Sequence, residues 1–375
     1  MLTAKDIWGG KIDYTTARHT SLDAFNNAIT DKSRPKKDDI LLTKDGSIGR
    51  VAICDRENIC INQSVALIQP NDRIDPLFLK YLLETPYYQQ RMENDADGST
   101  IKHIYITRVD KMQIAVPPIE EQRMIAGILV SLDDKIDLNR RMNETLEAMA
   151  RAVFKDWFVD FGPVRAKMEG RAPYLSSEIW SLFPDLLDTE RRPQTWSLGR
   201  LDDLLVLQRG FDLPSSTRQP GDFVVMAASG PNGFHNEFMV RGPGVTTGRS
   251  GVLGRVFFIM EDFWPLNTSL WVKEFKVSNP LHAYFLLQTL DFGSFNAGSA
   301  VPTLNRNHVH SLPVRVPPKA LVDAFDASCM PLMRSIRAND LQSETLAATR
   351  DLLLPKLMSG EIRISDAEKT IEAEL

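Results

Sequence analysis

The chain has 375 residues, 43% of them hydrophobic, and 44 Lys and Arg against 49 Asp and Glu give a net charge of −5. This is an ordinary globular composition with room for two or three domains, and its acidity means that any contact with a polyanion must be local rather than a bulk property. No apolar run reaches the ~20 residues of a membrane span, and the N-terminus has no basic-then-apolar signal pattern.

Met1 to Ile7 reads as mid-domain strand and turn, with nothing before it to pair. Ile40 to Ile68 reads as strands broken by polar turns, among them Lys44-Asp45-Gly46-Ser47. Pro76 to Tyr88 has the spacing of a helix with Leu77, Leu79, Leu82 and Leu83 inward, and β character returns at Gly98–Ile106 and Gln113–Val116. Cys54, Cys60 and Cys329 lack ligand-like spacing to histidines, so they read as reduced core thiols of a cytoplasmic protein with no metal site.

After Pro117-Pro118 the chain from Ile119 to Trp157 contains no Pro, and Ile125, Leu132, Asn139, Leu146 and Val153 recur every seven residues. That heptad stripe predicts one helix spanning on the order of 55–60 Å at 1.5 Å per residue. Phe161 to Pro193 reads as a connector with one helical turn near Glu178. A second β-rich region opens at Trp196, and residues past Gly360 read as a polar, frayed tail.

The second half repeats the first. Phe325, Leu332, Asn339, Leu346 and Leu353 form the same stripe, each 200 residues after its first copy, and Val-Pro-Pro precedes both helices. An Asn in each stripe sacrifices stability but penalises wrong registers, so the two helices suit each other. Gly254-Arg255-Val256 repeats Gly49-Arg50-Val51 at an offset of 205, and Asn267-Thr268-Ser269 falls on Asn62-Gln63-Ser64. The expected division is therefore a first domain over 1–118, a long helix over 119–160, a linker over 161–195, a second domain over 196–318, a second long helix over 319–360 and a tail over 361–375.

This order of elements resembles the specificity subunit of type I restriction-modification enzymes. The residues that carry the resemblance are Thr43 to Ala52, Asn62-Gln63-Ser64, Val-Pro-Pro before Ile119-Glu120-Glu121-Gln122, Phe154 to Phe158, and Leu354 to Gly360. The resemblance implies an α+β fold with two repeated mixed α/β target-recognition domains separated by a pair of long antiparallel coiled-coil helices. It further implies double-stranded DNA as ligand, methylation subunits docked on the helices and restriction subunits in the same complex. S-adenosylmethionine, ATP and Mg would be held by those partner chains, and none by this one. One departure stands out: the opening from Trp196 has no counterpart in the first domain, where it would fall before residue 1.

If both globules grip DNA, each needs cations for phosphate and polar side chains for base edges. The candidates are Lys44, Ser47 and Arg50 in the first turn, and Arg249, Ser250 and Arg255 in its echo. Loops that differ between the copies add Lys102 and His103 in the first, and Asn305, Arg306 and Asn307 in the second. His235 and Asn236 come from the stretch 229–241. Catalysis finds no motif: Gly242 to Ser250 has the wrong glycine spacing for a phosphate loop and Arg249 in place of its lysine. The alternative is a non-catalytic assembly scaffold, or a specificity subunit without full DNA recognition.

Overall fold

The computed structural model describes residues 1–98, 102–295 and 303–372. In chain order these form β1 (Ile7–Trp8), β2 (Lys11–Ile12), α1 (Leu22–Asn27), β3 (Ile40–Thr43), β4 (Val51–Ile53), β5 (Val65–Ile68), α2 (Pro76–Glu84), α3 (Pro86–Asn94), α4 (Ile106–Val109) and α5 (Ile119–Phe154). Then come α6 (Gly162–Met168), α7 (Ser177–Ser181), β6 (Ser197–Arg200), α8 (Leu201–Leu204), β7 (Leu205–Arg209), β8 (Phe223–Ala227), β9 (Gly230–His235), β10 (Gly244–Gly248) and β11 (Val256–Ile259). The chain continues through β12 (Phe263–Pro265), β13 (Ser269–Phe275), α9 (Pro280–Gln288), α10 (Arg306–His310), β14 (Pro313–Val316), α11 (Lys319–Ser359) and α12 (Ile364–Glu372). It divides into two compact units, Met1–Asn139 with Asp340–Leu375, and Arg140–Asn339.

In the first unit β3 lies between β4 and β5, antiparallel to both, with Leu42 opposite Val51 and Ala66. The Asp75 side chain caps α2 by accepting from the Phe78 N–H at 3.1 Å. The expected single helix over 76–88 is two helices, because Pro86 forces Thr85 out of helical geometry. Phe78, Leu82 and Met92 pack with Ile125, Leu129 and Leu132 of α5 and with Leu346, Leu353 and Leu357 of α11. The two helix segments run antiparallel: Arg350 donates to Asp133 at 2.6 Å, and Asn139 donates to Gln342 at 2.9 Å.

Residues 364–372 are not a frayed tail. They form α12, whose Ala367 and Ile371 are buried in this same core, so an apolar stripe of only two residues is enough once a surface is there to receive it. The expected strands at 98–106 and 113–116 are also absent among the described residues; Ile106–Val109 is a helical turn instead. Residues 99–101 of the first expected strand lie outside the described residues.

The second unit holds a four-stranded sheet ordered β11-β10-β13-β7, a three-stranded sheet β12-β8-β9 and the pair β14-β6. Its core joins Leu205 and Leu207 of β7, Leu270 and Val272 of β13, Leu281 and Phe285 of α9, and Phe325 of α11. Here α5 and α11 are again antiparallel, with Asn339 donating to Asn143 at 2.8 Å and the rings of Phe154 and Phe325 5.8 Å apart. The supposed linker belongs to this core: Val164, Phe183 and Trp196 are buried in it, because π-helical winding at Lys155–Val159 and a left-handed Phe161 turn the chain back onto the unit.

The internal repeat is visible strand by strand. β4-β3-β5 matches β11-β10-β13, and the parallel bridge Leu2–Ile61 matches Phe211–Leu266. In the second unit β7 pairs with the outer edge of β13; among the described residues no strand pairs with the corresponding edge of β5.

Candidate nucleic-acid interface

The strands β3 and β10 each lead into a tight turn. Gly46 and Gly49 in the first, and Gly251 and Gly254 in the second, all take positive φ, between 75° and 87°. Only glycine adopts that region without strain, so these four residues are there to close the turns. Asn62 accepts from the Ser64 N–H at 3.1 Å and from its hydroxyl at 2.6 Å, an Asx turn that shapes the β5 entry rather than a reading head.

A second segment braces each turn in the same way. The Ile104 N–H donates to the Lys44 carbonyl at 3.0 Å, and Leu304 N–H to the Arg249 carbonyl at 2.8 Å. Asp45 bridges His103 in the first unit, and Ser250 bridges Thr303 in the second. One backbone frame therefore presents Lys44, Asp45, His103 and Tyr105 in one unit, and Arg249, Ser250, Thr303 and Asn305 in the other.

The chemistry mounted on the two frames differs. In the first unit the Asp45 carboxylate binds the His103 ring and lies 3.3 Å from Lys44 Nζ. Burial works to raise the Asp45 pKa, but the hydrogen bonds from His103 and Lys44 outweigh it and hold the carboxyl below its usual range. Tyr105, exposed, stacks edge-on against His103 at 4.6 Å, and Arg108 pairs with Asp97 at 2.7 Å. Lys102 is exposed beside this cluster, and its carbonyl accepts from Gly46 N–H at 2.9 Å. Ser47 is half-buried, with its carbonyl accepting the Thr43 hydroxyl. Arg50 points elsewhere: its guanidinium stacks on Trp8 at 4.4 Å and donates to the Ile7 carbonyl at 3.2 Å, which ties the turn to the β1–β2 hairpin.

In the second unit Arg249, Asn305 and Arg306 line one cavity of about 550 Å³ with Leu270, Thr303 and Leu304, and they are joined there by Arg209 from the end of β7. Arg209 carried no signal in the sequence, since nothing in Gln208-Arg209-Gly210 tells where β7 will pair. Asn305 caps α10 by accepting from Asn307 N–H at 3.0 Å, while the Asn307 side chain is exposed. Ser250 is half-buried at the rim of the turn, and Arg255 is exposed with its guanidinium 5.2 Å from the Phe257 ring.

His235 does not face solvent. It is buried at the end of β9, where its ring accepts from Gln219 N–H at 3.1 Å and stacks against Trp264 at 5.4 Å. The stretch 229–241 begins as a strand, and its histidine is turned inward to close the hairpin. Asn236 beside it is exposed and donates to the Gln219 side chain at 3.2 Å.

The helical candidates fall into two groups. Ile125, Leu132, Asn139, Leu346, Leu353 and Phe325 are buried, whereas Leu146, Val153, Leu332 and Asn339 are half-buried.

The model of the type I restriction modification DNA specificity domain matches residues 1–148 and 193–324. The MjaIX type I restriction enzyme specificity subunit of Methanocaldococcus jannaschii is 27% identical, over 96% of this chain and 89% of that protein. The HindI specificity subunit of Haemophilus influenzae is 26% identical, over 88% of each chain. In fold, the chain is similar to the type I restriction-modification S subunit from M. genitalium, with a TM-score of 0.55 and 21% identity over 88% of this chain and 84% of that one.

Proposed function

This chain belongs to the type I restriction-modification DNA specificity family, and from that premise we propose that it reads a bipartite site in double-stranded DNA, one half with each unit, without catalysing a reaction itself. The methylation subunits dock along α5 and α11, and restriction subunits join through that complex. S-adenosylmethionine, ATP and Mg belong to those partner chains. The observation that carries the reading is the duplicated frame: two units that share a three-stranded core sheet hold the same turn and brace, yet mount different side chains on it, as reading two different half-sites requires.

Among the described residues no cluster of His, Cys, Asp or Glu is arranged to hold a metal ion, and no helix is long and apolar enough to cross a membrane. The test is co-expression with cognate methylation subunits, followed by sequencing of methylated adenines. Replacing Asn305 and Asn307 by Ala is expected to relax or change one half of the methylated motif and leave the other intact. A motif that persists in cells without this chain would overturn the proposal.

A further inference from the structure

The two frames are alike in backbone and unlike in charge. In the first unit Lys44 is answered by Asp45 and Arg108 by Asp97, which leaves exposed Lys102 as the cation of this cluster without an ion pair among the described residues. At the positions where the second unit has Asn305 and Arg306, the first has Tyr105 and Ile106. In the second unit Arg209, Arg249 and Arg306 line one cavity, and among the described residues no carboxylate joins them there. Among the described residues none of these three arginines makes an ion pair, and the Arg249 guanidinium donates to the Asn267 carbonyl at 3.5 Å.

Three like charges gathered without a counter-ion repel one another, and a bound anion relieves that repulsion. Guanidinium forks match phosphate oxygens two at a time. A single guanine edge offers two acceptors, fewer than three forks can use, whereas a backbone phosphate with its neighbour accommodates all three. Outside the cavity lining, the His310 ring accepts from Leu207 N–H at 2.8 Å, which ties β7, the strand of Arg209, to α10, the helix of Arg306.

Resting on the reading that the chain binds DNA, we propose that Arg209, Arg249 and Arg306 form a phosphate-holding site that makes the second unit the electrostatic anchor on DNA, while the largely ion-paired cluster of the first unit adds less to affinity. The two half-sites then differ in how they are held as well as in what is read.

The experiment uses the full chain with its methylation subunits and a fluorescein-labelled duplex of mixed sequence, with anisotropy read across a salt series. The double variant Arg209→Gln, Arg306→Gln is expected to weaken binding about tenfold near 0.1 M salt and to flatten the log K against log salt slope by about 1 to 2. Lys44→Gln is expected to lose clearly less affinity than the double variant, since its charge is already shared with Asp45. Both arginines are exposed, so their loss leaves the core intact, and Arg249→Lys, which keeps the charge but not the fork, is expected to fall between wild type and the double variant. Equal losses for Lys44→Gln and the double variant, or an unchanged slope in the latter, overturn the anchor while leaving the DNA-binding reading in place. A loss confined to one base of the methylated motif, with the slope intact, assigns the cavity to guanine and overturns the phosphate assignment. Wild-type complex that shows no salt-dependent binding overturns both.

Discussion

His282 is fully buried between Phe154 and Phe158, with its Nδ1 2.8 Å from the Ser278 hydroxyl. Burial, with the nearby Lys319 charge, pushes its imidazole down to about 3. His310 is shifted the same way, again chiefly by burial. A group whose folded pKa lies below its unfolded value leaves the unfolded state holding more protons between the two, so its contribution is present above about pH 6.5 and lost as pH falls toward 3. The second unit should therefore lose thermal stability steadily from pH 6.5 to pH 4, and His282→Leu should flatten that decline. Melting curves followed by circular dichroism over that range check it; an identical decline in the variant would remove His282 as the cause. The histidines also illustrate what a single position can hide. His235 and His103 are equally plausible as readers in the sequence, and only their surroundings separate a hairpin wedge from a rim residue.

The paired helix segments concentrate stability in few side chains. Leu132 of α5 is 1% exposed against α2 and α11, whereas its repeat, Leu332, is half-buried at the edge of an aromatic core. Removing a fully packed leucine loses its transfer free energy and leaves a cavity, while a half-buried one lets solvent or neighbours fill the space. Leu132→Ala is expected to cost about 3 kcal/mol in chemical denaturation of the first unit, and Leu332→Ala about half of that in the second. Equal costs would contradict the burial difference. Around Leu132 a polar girdle fixes the alignment: Asp133 accepts from Arg350 at 2.6 Å and from the Tyr81 hydroxyl at 2.7 Å, with Lys80 3.9 Å away. Desolvation raises the Tyr81 phenol far above its ordinary value, reinforced by Asp133, so it serves as a donor at any accessible pH.

The two units differ in how the chain supplies them. Arg140–Asn339 is one continuous segment with its own core, while the other unit needs Asp340–Leu375 to complete the core begun by Met1–Asn139. The fragment 140–339 is expected to unfold in one cooperative transition by itself. The fragment 1–139 should be protease-sensitive alone and become protected when a peptide of residues 340–375 is added, because Leu346, Leu353, Leu354 and Leu357 come only from there. Limited proteolysis of the two fragments, with and without the peptide, decides this; a fragment 1–139 that resists digestion unaided would show that α11 is dispensable to it.

What the sequence determined alone is whatever is encoded by near neighbours and by repetition. The heptad spacing of Ile125 to Val153 needs no partner to be seen, nor do the turn glycines Gly46 and Gly251, and the second copy of each makes the pattern unmistakable. Only the tertiary structure decided which charges remain unanswered. Lys44 is compensated by an acid next to it, yet His103 reaches that acid from 58 residues away. Arg209 joins Arg249 and Arg306 because β7 pairs with β13 and β10 lies beside it. Convergence of distant side chains depends on strand pairing and burial, which are cooperative properties of the folded unit and leave no local trace in the order of residues.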